Sequence, residues 1–169
     1  GLEGPLHDEL NRIISEALNS QHAPLKETMR SATVGELPLK PTGGIECSGS
    51  LALAMILNLQ SRVASRILLQ VFYSTYKQEE DIYQVARKIA WEDWFNQDQT
   101  LRVDVTAQRS NLTSLNFVTL RIKDAICDRF REITGSRPTI ETATPDVRVM
   151  AFLDATHMTL YIDTSGEPL

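Results

Sequence analysis

A chain of 169 residues suits one large domain or one domain plus a subdomain, and 42% apolar with 23% charged residues excludes a disordered chain. A formal charge of −5 excludes nucleic-acid binding by bulk charge but leaves room for a local basic patch. Two cysteines, Cys47 and Cys127, make no disulfide framework, and the longest apolar run, 51–57, is too short for a bilayer, so a cytoplasmic, reduced setting with no membrane partner is expected.

Taken in order, 5–18 reads as an amphipathic helix, with Leu6, Leu10, Ile13, Ile14, Ala17 and Leu18 on one face and Pro5 in the first turn. Residues 20–42 hold Pro24, Gly35, Pro38 and Pro41 with little periodicity, so an irregular insertion is expected there, with one strand around 28–34. Residues 43–49 suit a short strand between glycine turns. The nearly all-apolar segment 51–59 predicts a helix buried on most sides. A strand follows at 67–73, then a helix at 79–88 whose end gathers Trp91, Trp94 and Phe95.

Residues 101–106 alternate cleanly as a half-buried strand, and 107–113 is a polar loop. The segment 114–134 is the strongest helical signal. Val118, Ile122, Ala125, Ile126, Phe130 and Ile133 share a face, Ser114 suits the N-cap and Gly135 the stop. Arg121, Asp124, Asp128 and Arg131 offer opposite charges three residues apart. Arg129 falls inside the apolar stripe, so it requires a carboxylate or carbonyl partner, or an opening of the stripe to solvent or ligand. A short strand at 139–140 and a hairpin, 147–153 with 158–163 joined by 154–157, complete an α+β layer with helices packed on a mixed sheet.

Catalytic signals are weak. His7, His22 and His157 fall in a helix start, a loop and a turn, with no second metal ligand at the right spacing. No nucleophile elbow, phosphate-binding loop or dinucleotide fingerprint is present. Asp124 and Asp128 have basic neighbours, which points to a solvated charged face rather than a metal site. Cys127 on its helix is expected to be a small packing residue. Residue chemistry alone leaves a binding or structural α/β module, with a self-contained enzyme disfavoured.

The order of short motifs resembles a known family. Gly1-Leu2-Glu3, Gly43-Gly44-Ile45, the run 61–69 from Ser61-Arg62-Val63, Asp81-Ile82-Tyr83, Ile89-Ala90-Trp91, the run 120–130 around Lys123-Asp124-Ala125, Arg137-Pro138, the run 145–149 and the run 160–166 resemble the N-terminal half of bacterial THUMP-containing RNA methyltransferases. The RlmL-like group, which methylates the exocyclic amine of a guanine in 23S ribosomal RNA, is the most similar in motif order. The resemblance implies a small ferredoxin-like subdomain over 1–50, carrying the irregular insertion 20–42, and a THUMP domain over 51–166. It implies that these residues are the RNA-binding front part of a longer protein, an expectation shared by a start without Met and an abrupt end. S-adenosylmethionine would then be held by a C-terminal methyltransferase domain, with no cofactor, metal or catalytic residue in this chain. Partners would be structured RNA, foremost 23S ribosomal RNA, and that domain of the same polypeptide.

An RNA face is expected from Arg109, Asn111, Arg121, Lys123, Arg129 and Arg137, because the loop 107–113 leads into a helix N-terminus, where free N–H groups and the helix dipole favour phosphate. Where the family often carries an Arg-Asn pair before the Lys-Asp-Ala helix, this chain has Thr113-Ser114, with Arg109 and Asn111 nearby. Two other readings stand beside this one. One is the THUMP module of another RNA-modifying enzyme acting on tRNA by methylation or thiolation; the other is a ferredoxin-like interaction domain with no RNA role.

Overall fold

The structure is a computed structural model that describes residues 3–19, 33–36, 45–48 and 51–165, with side-chain burial described for 4–16 and 53–165. These residues fall into two compact units divided between Ile67 and Leu68.

The first unit contains helix α1 (Glu3–Asn19), strands β1 (Thr33–Glu36) and β2 (Ile45–Ser48), and helix α2 (Leu51–Gln60). The strands pair antiparallel, Thr33 opposite Ser48 and Glu36 opposite Ile45. The apolar stripe of α1 is realised as read: Leu6, Leu10, Ile13 and Ile14 are buried and cluster with Leu53 and Leu57 of α2. That packing places α2 with α1, so the division falls at residue 67 rather than at the expected boundary after residue 50. Burial of α2 on most sides is corrected. Leu53 and Leu57 are inside, but Met55 is 62% and Leu59 84% exposed, because packing against α1 buries only the stripe that faces it. The strand expected around 28–34 begins at Thr33 in β1; residues 28–32 and most of the insertion 20–42 lie outside the described residues.

A carboxylate joins the chain segments of this unit. Glu9 on α1 accepts from the Ser61 hydroxyl at 2.6 Å and from the backbone amides of Arg62 and Val63 at 2.7 and 3.2 Å. Those donors lie just past the end of α2. Partial burial works against ionisation of Glu9, yet the three hydrogen bonds hold its carboxyl below the usual carboxylate range.

The second unit is a four-stranded sheet in the order β3–β6–β5–β4, made of β3 (Leu68–Thr75), β4 (Leu101–Ala107), β5 (Val147–Leu153) and β6 (His157–Asp163). Of the paired neighbours in this sheet, β4 and β5 are the parallel pair, so their connection must cross over the sheet, and it does so through helix α4 (Leu115–Thr134). Helix α3 (Glu79–Lys88) and a 3-10 turn (Trp91–Asp93) precede β4. β5 alternates as an ideal half-buried strand: Val147, Val149, Ala151 and Leu153 are buried and the residues between them are not. With Leu101, Met158, Leu160 and Ile162 they meet Val118, Ile122, Ala125, Ile126 and Phe130 of α4 and Ile82 and Ala86 of α3. Trp91 is fully buried, and its indole donates to the Ala86 carbonyl at 2.7 Å. Phe95 packs on Phe130 with ring centroids 5.1 Å apart.

Helix α4 starts and stops where its sequence signals lie. The Ser114 hydroxyl accepts from the Phe117 amide at 3.3 Å. Gly135 takes φ 78° to end the helix, a conformation other residues adopt only at a cost. Two side chains depart from the sequence reading: Ile133 of the apolar stripe is 49% exposed, and His157 is the first residue of β6 rather than part of the turn. Trp94 is 45% exposed. The short strand at 139–140 is reduced to one bridge, Ile140 with Leu101. Cys127 is buried as a packing residue, and that burial pushes its thiol upward.

Candidate nucleic-acid interface

β3, β4 and β5 all end at one pole of the sheet, where β6 begins. α4 starts there as well, because the loop 108–114 connects β4 to it directly. The loop is tied down at several points. Gln108 N–H donates to the Leu153 carbonyl at 2.8 Å, and the Asn111 side-chain amide donates to the Ala155 carbonyl at 3.4 Å. The Tyr76 hydroxyl donates to the Asp154 carbonyl and lies 2.7 Å from the Ser110 hydroxyl. Ser110 in turn accepts from the Leu112 amide at 3.2 Å. Tyr76 N–H reaches the Thr156 carbonyl at 3.0 Å. The end of β3, the β4–α4 loop and the β5–β6 turn are thus one hydrogen-bonded assembly.

Asp154 organises its own turn. Its carboxylate accepts from the amides of Thr156 and His157 at 2.7 and 2.6 Å. Burial opposes ionisation there too, but those amides and the neighbouring His157 hold the carboxyl below its ordinary value. Arg109 sits in the middle of the pinned loop with φ 61°, a conformation rare for a residue with a β-carbon. It is exposed, and among the described residues no carboxylate pairs with it. Strained, over-determined backbone of this kind concentrates where a side chain must be presented.

The six candidate RNA residues separate into two kinds. Arg109 and Asn111 share the pinned loop. Arg137 is exposed beyond Gly135, without an ion pair among the described residues, and Lys123 is 27% exposed with only a loose contact to Asp124 at 3.8 Å. Both are close enough to Cys127 for their charges to act on its thiol. Arg121 and Arg129, by contrast, are held. Arg121 bonds the Glu80 carboxylate of α3, with its guanidinium 4.2 Å from the centre of the Tyr83 ring. The pairing of Arg121 with Asp124 suggested by spacing is therefore replaced by a link between helices. The Tyr83 hydroxyl donates to Asp128 at 2.7 Å and Arg87 reaches Glu132 at 3.1 Å, so polar contacts fasten one edge of α3 to α4. Asp128 and Arg131 do pair as their spacing suggests, at 3.4 Å. Arg129 finds the carboxylate its position demands: its Nε donates to Glu92 at 3.1 Å and its Nη2 bonds the other oxygen. That fork holds the Glu92 carboxyl below the usual range.

Residues 76–163 match the family model described as the THUMP domain. The chain belongs to the THUMP domain family. Among curated relatives, it is 35% identical over 137 residues to a ribosomal RNA large subunit methyltransferase K/L from Syntrophotalea carbinolica, covering 80% of this chain and 19% of that protein. A protein of the same name from Pseudomonas aeruginosa is 38% identical over 121 residues, covering 72% of this chain and 17% of the relative. The chain thus spans about a fifth of the length of the curated relatives it matches. Two solved structures share the fold. A predicted N6-adenine-specific DNA methylase from Listeria monocytogenes aligns at TM-score 0.75 with 22% identity, over 99% of this chain and 39% of that one. TrmN from Thermus thermophilus aligns at TM-score 0.64 with 12% identity, over 96% and 43%.

The THUMP match begins at Tyr76, the residue whose hydroxyl joins the three segments of the pole. Sequence reasoning passed over Tyr76 and Ser110 because their partners are 34 and 78 residues away, beyond the reach of any local pattern. His157 was visible only as a histidine of a turn. Its place as the first residue of β6 puts it beside Tyr73 of β3, and the two rings stack with centroids 5.1 Å apart and 6° between planes.

Proposed function

We propose that this chain is the RNA-binding module of an S-adenosylmethionine-dependent methyltransferase that acts on a guanine N2 of 23S ribosomal RNA. It would position structured RNA for a catalytic domain of the same polypeptide, with the first unit as a ferredoxin-like segment and the second as the THUMP domain proper. The names of the curated relatives and their greater length support this reading. A cytoplasmic site of action goes with it, and among the described residues no helix is long and apolar enough to cross a membrane.

One observation carries the RNA interface. The loop 108–113 presents Arg109 from a strained, pinned backbone at the N-terminus of α4. Fixed donors and a guanidinium at a helix start suit phosphate oxygens, which position an RNA without reading its sequence. Lys123 and Arg137 extend the surface as loosely held cations. Arg121 and Arg129, each neutralised by a carboxylate partner, take the lesser part in it.

The residues present do not suit S-adenosylmethionine itself. The single strand-to-helix connection of the parallel pair, 108–114, contains no glycine and is filled by its own hydrogen bonds, so it lacks the close backbone approach that nucleotide cofactors use. No step of the methyl transfer is assigned to this chain.

Filter binding of a structured RNA across a salt series tests the interface. Binding by the acidic chain is expected to be weak and steeply lost with salt. Arg109→Ala and Lys123→Ala should each weaken binding for all sequences alike and lower the salt slope by about one. An unchanged slope in both variants would move the RNA face elsewhere.

A further inference from the structure

We propose that the stacked rings of Tyr73 and His157 form a platform for an unpaired RNA base, beside the cationic loop. The proposal rests on the RNA-binding reading above and adds a second chemistry to it, since the loop grips backbone phosphate and the rings would grip a base.

Tyr73 lies near the end of β3, the edge strand, which has no further strand beside it among the described residues. Its side chain is 46% exposed although one ring face is covered by His157. The His157 ring is itself fixed, with Nδ1 2.7 Å from the Thr156 hydroxyl, and its side chain is 34% exposed. Across the sheet Tyr73 stands opposite Thr159, and Thr159 opposite Phe152, which gives the platform a floor in which Thr159 is only 4% exposed. The result is a fixed, parallel aromatic pair on the edge strand of the described sheet.

The surroundings favour a base over an apolar partner. Polar residues flank the pair in the chain: Ser74 and Thr75 follow Tyr73, Thr156 precedes His157, and Thr75 and Thr156 are exposed. Every base has a π-face, and stacking on a ring is tolerant of sequence. The platform is linked to the proposed phosphate grip through the β5–β6 turn. The turn 154–156 separates His157 from Asn111, which bonds the carbonyl of Ala155 within that turn. A strand whose base lies on Tyr73 could run its backbone over this turn toward Arg109.

The test uses the full chain with two RNAs of the same stem: a hairpin carrying a fluorescent adenine analogue in its unpaired loop, and a blunt duplex. The wild-type protein should quench the analogue on binding. Tyr73→Ala should weaken hairpin binding by roughly tenfold, the size of one base–ring stack, and leave the duplex unaffected. Tyr73→Phe should bind the hairpin as the wild type does. Tyr73→Leu, which keeps an apolar side chain on the strand without the π-face, should reproduce the loss and covers the case of a misfolded alanine variant. Equal loss on both RNAs, or none on the hairpin, would reduce the pair to a clasp between β3 and β6 and overturn the proposal. Duplex binding with an unquenched analogue strikes the platform alone, whereas failure of the wild type to bind either RNA at low salt strikes the underlying RNA reading.

Discussion

The two units of this chain are stabilised in different ways. The second buries a continuous core in which Ile82, Trp91, Ile122, Ile126, Phe130 and Leu160 are all but inaccessible, and its polar contacts mostly fasten edges. The described part of the first unit buries a much smaller cluster, Leu6, Leu10, Ile13, Ile14, Leu53 and Leu57, and relies on one carboxylate to join α1 to the turn after α2. Small cores leave little margin, so a single charge-assisted contact weighs more where packing weighs less. The contrast also concerns pH: the first unit's small cluster hangs on one titrating carboxylate, while the second carries titrating carboxylates of its own, Glu92 and Asp154, beside a much larger apolar core.

Substitutions separate the two modes of stabilisation. The largest effect is expected from Phe130→Ala, which removes a ring 1% exposed and packed on Phe95. It should cost the second unit about 3–5 kcal/mol in chemical denaturation. A loss below about 1 kcal/mol would mean that the core can collapse around the cavity, against the close packing seen here. Next comes Glu9→Gln, which keeps the shape but removes the charge from three hydrogen bonds, and should cost the first unit about 1–2 kcal/mol. The sign of its pH dependence follows from the same contacts. The folded-state carboxyl ionises below the ordinary value of 4.5, so its stabilisation is present above that value and is lost as pH falls through the folded one. Acid titration of the wild type should show that loss and the Gln variant should not; identical acid profiles would remove Glu9 from the account. The smallest effect is expected at the exposed pair Arg12–Glu16, where Arg12→Ala should change stability by no more than about 0.5 kcal/mol.

Much of this was legible in the sequence, for identifiable reasons. Helix α4 carries its own start, stop and stripe, so Ser114, Gly135 and Phe130 could be placed from local pattern alone. Arg129 announced its need for a carboxylate by interrupting that stripe, although nothing local named Glu92. What escaped was whatever depends on a neighbour distant in sequence. Arg121 left its helical partner for Glu80, Tyr76 met Ser110 and Asp154, and α2 turned Leu53 and Leu57 toward α1 while Met55 and Leu59 stayed outside. The interface was legible as a list of cations but not as a division between free and held ones, since that division is set by carboxylates on other elements.

The strand order has a consequence for how the second unit is made. β6, the last strand, lies between β3 and β5. While the chain emerges from a ribosome, β3 is synthesised first and has no partner until His157–Asp163 has followed. Helices α3 and α4 can form early, but the sheet that covers their apolar faces cannot close. The nascent unit therefore passes through a long interval with an unpaired strand and uncovered apolar surface, a state in which chains seek chaperones or one another.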